Sequence, residues 1–173
     1  MQIEKNAREI VVNEFRPSFQ AEIVDLILHV QNVEYSVNIS LNEQPDLLDI
    51  EGCYIASGGG FWIALNDRGE VVGTLGLQRK TNGVGVLKKF FVSASYRGSE
   101  TNCASKLFDT LLEFSLRRGI ETIVLDTPSA ATRSHAFYRR KGFRQISETD
   151  LPVQYEYPNR DSLFFRLDPK PRS

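Results

Sequence analysis

The segment Ser93-Ala94-Ser95-Tyr96-Arg97-Gly98-Ser99-Glu100-Thr101-Asn102-Cys103-Ala104 joins an apolar run ending at Val92 to a helical pattern. A loop of small and polar residues that opens a helix presents unpaired backbone N–H groups, and the helix dipole adds to them, so the junction suits an anion. Arg97 brings a forked cationic donor matched to phosphate oxygens. The segment has neither the GK[ST] of a phosphate loop nor the GxGxxG of a dinucleotide fold. A plain turn rich in small residues is the competing reading. Further along, Ser134-His135-Ala136-Phe137-Tyr138-Arg139-Arg140-Lys141-Gly142-Phe143 closes a second helical pattern. By spacing alone Tyr138 reads as a core aromatic whose hydroxyl touches water. The only cysteines, Cys53 and Cys103, are far apart and form no CxxC, which argues against a disulfide framework or a zinc site. Cys103 at a helix start reads as a thiol of lowered pKa.

Charge is distributed unevenly. The chain nets −1, but Arg79–Arg144 holds 13 Lys/Arg against 5 Asp/Glu, a net of +8, and the remainder nets −9. A basic middle in an acidic frame fits an anionic ligand held by the middle; charges that solvate separate faces are the plain alternative. It does not fit a nucleic-acid coat, which needs excess positive charge over a whole face. With 41% hydrophobic and 25% charged residues, the composition excludes collagenous, low-complexity and wholly disordered chains. The longest apolar run, Phe61–Leu65, is far short of the roughly 20 residues of a membrane span. Met1–Ile10 has charges where a signal peptide needs an apolar block. The expectation is a cytoplasmic protein with no membrane or nucleic-acid partner and no metal. A length of 173 residues suits one domain over 1–173, with a core over about 8–167 and a loose tail over 168–173.

The positioning elements follow from hydrophobic period. A strand is expected within Arg8–Phe15, and a helix from Ser18 to about Val33, with Ile23, Leu26, Ile27 and Val30 on one face. Ser36–Ser57 is irregular, with one short helical turn near Pro45, and Gly58-Gly59-Gly60 reads as a flexible joint. Strands over Phe61–Asn66, Glu70–Gln78 and Val84–Val92 form an antiparallel series, the first turn made by Asp67-Arg68-Gly69 with Gly69 at positive φ. A helix with Ala104, Leu107, Phe108, Leu111 and Ser115 on one face ends at Arg117-Arg118-Gly119. The strand Ile120–Asp126 is apolar on consecutive positions, as in a strand buried on both faces, and should run parallel to its predecessor. A helix over about Ser129–Lys141 and strands over Phe143–Ser147 and Asp161–Leu167 complete the order.

The run Leu87-Lys88-Lys89-Phe90-Phe91-Val92, the Tyr96-Arg97-Gly98 start and the Phe137-Tyr138-x-x-x-Gly142-Phe143 end resemble the GNAT superfamily of acetyl-CoA-dependent N-acetyltransferases. The resemblance covers Val84–Phe143 by motif and Arg8–Leu167 by element order. It implies an α/β (α+β) fold: a mixed, mostly antiparallel sheet of about seven strands, splayed between strands 4 and 5 and flanked by about four helices. It implies acetyl-CoA as co-substrate in that cleft. Backbone N–H groups over Gly98, Ser99, Thr101, Asn102, Cys103 and Ala104 would hold the pyrophosphate, with Arg97 assisting. The strand edge at Phe91 and Val92 would pair with pantetheine and polarise the thioester. Phe137 would line the cofactor, Arg133 would serve a phosphate, and Tyr138 would be the general acid for the departing thiolate.

This chain departs from the family pattern in places. The loop after Arg97 is about two residues longer, and Glu100 stands where it should repel phosphate. Ala131 stands in place of an asparagine before the last helix, and Val86 in place of an acid on the fourth strand. Asp126, His135 and an ordered water are the candidates for general base. Tyr35, Tyr54, Phe61 and Trp62 fall in segments that shape the acceptor pocket by family analogy, with core packing at least as good a reading of Trp62. The acceptor implied is a primary amine of a small molecule or peptide. Met1–Gln78 holds 12 Asp/Glu against 4 Lys/Arg, which would attract a cationic amine. A non-catalytic acyl-CoA binding or sensing module is the alternative to an enzyme, and a nucleotide-binding regulator is a third reading. A homodimer is the family's common assembly, though no segment announces an interface.

Overall fold

The computed structural model describes residues 9–158 and 161–170 of the chain. Seven strands form one sheet: β1 (Val11–Glu14), β2 (Gly60–Leu65), β3 (Val71–Arg79), β4 (Val84–Val92), β5 (Thr122–Pro128), β6 (Arg144–Ile146) and β7 (Ser162–Leu167). Their order is β1-β2-β3-β4-β5-β7-β6, with β4 and β5 parallel and every other neighbour antiparallel. Four α-helices lie among the described residues: α1 (Gln20–Leu28), α2 (Pro45–Leu48), α3 (Cys103–Arg117) and α4 (Thr132–Arg140). The element order is the expected one. The long helix expected to reach Val33 does continue past Leu28, but as a π-helical turn over His29–Glu34. A second π turn spans Glu51–Ile55, in the stretch that showed no pattern.

Helices cover both faces. On one side α3 buries Cys103, Leu107, Phe108, Leu111 and Ser115 against Trp62, Leu75, Leu77 and Leu87. Each large apolar side chain sealed this way stabilises the fold by about 1.5–3 kcal/mol. On the other side α1 and the second π turn pack Ile23, Ile27 and Tyr54 on Phe61 and Ile63. All six β2 positions are therefore buried. A third, smaller cluster of Val84, Val86 and Val124 lies under Leu151, Val153 and Tyr155 of the β6–β7 connection. Gly69 takes φ 73° in the β2–β3 turn, as read from sequence. Gly59 is not a flexible joint: a Cβ there would sit 1.9 Å from the Leu77 carbonyl oxygen, so only glycine fits the close backbone approach. Asp168 is not part of a loose tail, because it accepts from the Thr122 hydroxyl at 2.9 Å and from Arg166 Nε at 3.1 Å. Residues 1–8 and 171–173, at the two ends, lie outside the described residues. No helix of the described residues is long and apolar enough to cross a membrane.

One irregularity positions the site. β4 and β5 pair over only three residues, Val84↔Thr122, Gly85↔Ile123 and Val86↔Val124. Beyond Val86 the two strands part. On its other edge β4 pairs Lys88 with Gly76 but Phe91 with Thr74, so β4 carries one extra residue. That bulge places Lys89 in the left-handed region at φ 54°. The buried Thr74 hydroxyl holds it by donating to the Lys89 carbonyl at 2.7 Å. A bulge sharpens local twist and bends its strand, here just after the last β4–β5 pair.

Thr74→Val keeps the shape of the side chain and removes its hydrogen bond to the Lys89 carbonyl. It should cost about 1–3 kcal/mol, read as a lowered denaturation midpoint at unchanged slope in urea.

Candidate active site

The opening begins where β4 and β5 separate. Along β4 the alternation of faces sends Val84, Val86 and Lys88 to the side of the β6–β7 connection, and Gly85 and Leu87 to the α3 side. The bulge then puts Lys89 and Phe91 with α1 and α2, and Phe90 and Val92 with α3 and α4. The Ser93 N–H pairs with Val72 O on β3. The N–H and C=O of the preceding residue, Val92, therefore point the opposite way, toward the cleft.

Tyr138 sits on α4 with 6% of its surface exposed. Its ring packs on Phe90, Phe143 and Phe165 at 5.5–6.3 Å. Among the described residues the hydroxyl makes no hydrogen bond, and the only fully buried unpartnered side-chain polar atom there is Ser162 Oγ. Burial first, then nearby Asp126 and Tyr35, push its pKa well above that of a free phenol. The proton therefore stays on the oxygen at neutral pH. Phe137 bridges Phe90 and Phe108 at the same wall.

The two cations read as phosphate ligands have different settings. Arg97 donates through Nε to Val92 O at 2.9 Å and through its Nη2 to Glu34, at the end of the first π turn. It is an ion-paired strut between β4 and that turn. Glu34, Tyr35, Arg97, Ala131, Thr132 and Arg133 line a cavity of about 270 Å³ at the mouth of the opening. Arg133 is exposed on its rim. In the loop, Gly98, Ser99 and Asn102 are exposed, but Thr101 is buried and Cys103 is 1% exposed. The Thr101 hydroxyl donates to Tyr96 O at 2.6 Å and accepts from Cys103 N at 3.3 Å. Thr101 and Cys103 thus satisfy each other instead of offering groups to a ligand, whereas Ala104, in the first turn of α3, has no intrahelical carbonyl for its N–H. The Cys103 thiol, expected to be acidified by the helix start, is instead pushed up to about 12 because burial against Leu107 and Gly73 outweighs the effect of Lys106.

The remaining candidates also sort out. His135 is buried, its Nε2 on Pro128 O at 2.9 Å and its ring on Phe165, so it pins α4 to the end of β5. Val86 is fully buried under the β6–β7 connection. Asp126 on β5 faces the same side and accepts from the Tyr155 hydroxyl at 3.2 Å. Trp62 packs on Phe114 in the α3 layer, away from the acceptor side. Tyr54 and Phe61 are core, with the Tyr54 hydroxyl on Asp46 at 2.6 Å. Tyr35 is exposed at the mouth. The Glu34–Arg97 pair and Tyr155 were missed, because each depends on segments far apart in sequence. Lys88-Lys89 did leave a trace: two lysines followed by two phenylalanines break the period of two and call for a bulge.

The profile of the Acetyltransferase (GNAT) family matches residues 24–143. This chain belongs to the GNAT acetyltransferase family. A GNAT-family acetyltransferase from Staphylococcus aureus superposes with a TM-score of 0.89 at 35% identity, covering 93% of this chain and 99% of that one. An acetyltransferase from Streptococcus agalactiae gives 0.87 at 39%, covering 92% and 98%. N-acetylaspartate synthetase of Danio rerio is 31% identical over 127 residues, 70% of this chain and 44% of that protein. The chain thus spans about half the length of the curated relatives it matches. The GNAT fold explains the seven-stranded mixed sheet and its splay between β4 and β5.

Alkylation with iodoacetamide near pH 8 should modify half-buried Cys53 and leave Cys103 untouched until the protein unfolds, as mass spectrometry of the labelled peptides would show. Labelling of native Cys103 would contradict the burial that raises its pKa.

Proposed function

We propose that this protein transfers an acetyl group from acetyl-CoA to a primary amine of a small molecule or peptide by direct attack, with Tyr138 as general acid. One observation carries the reading: β4 and β5 part after Val86↔Val124, and Tyr138, whose phenol burial keeps protonated, packs against Phe90 of β4 beyond that gap. The residues fit acetyl-CoA. The Val92 N–H points into the cleft, the first turn of α3 has unpaired N–H groups, and Arg133 stands at the rim. When bound, acetyl-CoA supplies an activated acetyl thioester.

The chain's own groups divide the work. The Phe91–Val92 edge orients the pantetheine arm, and the Val92 N–H polarises the acetyl oxygen. Gly98, Ser99, Asn102 and Ala104 provide the backbone of the pyrophosphate cradle, with Thr101 and Cys103 fixing its shape from behind. Phe137 and Phe90 make the apolar wall that keeps water from the reacting atoms. Tyr138 Oη–H gives its proton to the departing sulfur and recovers one from solvent. Asp126, on the acceptor side and within electrostatic reach of Tyr138, receives the proton of the incoming ammonium directly or through water. His135 is unsuited to that role because Nε2 is bonded and the ring is buried. No metal takes part, and the chain acts in the cytoplasm.

The relatives named N-acetylaspartate synthetase support an amine acceptor of small size. A non-catalytic acyl-CoA sensor draws support from Val86, which leaves β4 without the usual acid.

Acetyl-CoA and CoA, but not ATP, should raise the melting temperature by a few degrees. Tyr138→Phe should lower kcat about 100- to 10,000-fold with little change in that shift. A sensor would show the shift without turnover on any amine, in either variant.

A further inference from the structure

The acceptor side of the cleft carries more positive charge than its sequence neighbourhood suggests. Lys88 projects from the last position of β4 that shares a face with Val84 and Val86 before the bulge. Its stem is half-buried. Its ammonium donates to the Glu156 backbone carbonyl at 2.9 Å and lies 5.5 Å from the centre of the Tyr155 ring. No described carboxylate forms an ion pair with it; Asp46 pairs instead with Lys89 at 3.7 Å and with the Tyr54 hydroxyl. Burial lowers its pKa, and Lys80 adds to the effect, while Asp46 and Asp126 work against it. A half-buried ammonium satisfied by one neutral carbonyl and a ring has capacity for an anion.

Two further observations give the site its shape. A groove of about 660 Å³ on the same face is lined by Ser57, Arg79, Lys80, Thr81, Pro152, Val153 and Gln154. Its two cations also lack an ion-pair partner among the described residues. At the other end, Tyr155 links Lys88 to Asp126 by ring contact and hydroxyl, and Asp126 is the carboxylate that influences Tyr138. The order along the surface is thus cation, tyrosine, anion, general acid. Four of the acids in Met1–Gln78 have other partners, although Asp46 still acts on Lys88 through space. Glu34 holds Arg97, Asp46 holds Lys89, Glu43 caps Ser40, and Glu22 accepts from the Val71 amide.

We infer that the acceptor is an amine that also bears a carboxylate, an amino acid or the acidic N-terminus of a peptide, and that Lys88 is the residue that selects the carboxylate. The inference rests on the transferase reading above. The ammonium end of such a zwitterion meets Asp126 beside Tyr138, and the carboxylate end meets Lys88, with Arg79 and Lys80 drawing it into the groove.

The test is a profile of thiol release from acetyl-CoA by the full chain. The amines are L-aspartate, L-glutamate, L-aspartic diamide, spermidine and an aspartyl dipeptide, the last separating a free amino acid from a peptide terminus. The carboxylate-bearing amines should exceed the diamide and spermidine at least about tenfold in kcat/KM. Lys88→Met should raise KM for the preferred carboxylate acceptor about 10- to 100-fold, the loss expected for a hydrogen bond to a charged group. It should leave kcat within about threefold, remove the preference over the diamide and leave the acetyl-CoA melting shift in place. Lys88→Arg should restore most of the preference. Equal turnover of aspartate and its diamide by the wild-type chain, or a preference that survives Lys88→Met, overturns the inference and leaves the transferase standing. No thiol release with any amine overturns both.

Discussion

The hydrogen bond from Thr74 to the Lys89 carbonyl sets the geometry on which everything else depends. It holds an extra residue in β4 and a non-glycine backbone in the left-handed region, a conformation that costs about 1–2 kcal/mol without such support. Because β4 bends there, it stops pairing with β5 after Val86, and the sheet opens. An open edge inside a sheet is normally a liability, since its N–H and C=O groups invite another strand. Here α3 and α4 flank it, and the Val92 N–H and C=O turn away from β3 toward the gap, the carbonyl meeting Arg97. The same bulge explains why two adjacent lysines can both face the acceptor side.

Electrostatics then divides the cleft. On the α4 side, aromatic rings surround Tyr138 and keep its proton in place. On the other side, ions of both signs are fixed at short range. Arg97 braces the first π turn through Glu34, and Lys89 braces α2 through Asp46. Partly buried pairs of this sort carry the cost of desolvating both ions, so they specify geometry more than they add stability. Both π turns supply a group to this region, Glu34 from one and Tyr54 from the other, in keeping with the tendency of such turns to occur at functional sites. Among the described residues Lys88 differs from Arg97 and Lys89 in contacting a neutral carbonyl and a ring with no ion pair.

Much of this was written in local sequence. Hydrophobic period and turn signals located all seven strands and the face of α3, because burial on a pleat or a helix imposes period directly. The order strand, polar loop, helix, strand announced the β4–α3–β5 crossover, and Tyr96-Arg97-Gly98 with Phe137-Tyr138 announced the family. Local reading failed where long-range partners decide a group's state. Cys103 looked acidified and is buried out of reach, while the burial of the Thr101 side chain and the Glu34 partner of Arg97 had no local signal.

By itself, then, the sequence determined the elements, their order and the family, since these follow from periodicity, turn chemistry and contiguous motifs. Only the tertiary structure decided which charges are paired and which side chains meet on one face of the sheet. Lys88, Asp126 and Tyr155 come from β4, β5 and the β6–β7 connection. Their meeting depends on strand register and on one bulge, and neither the desolvation of a charge nor its pairing can be computed from neighbours in the chain.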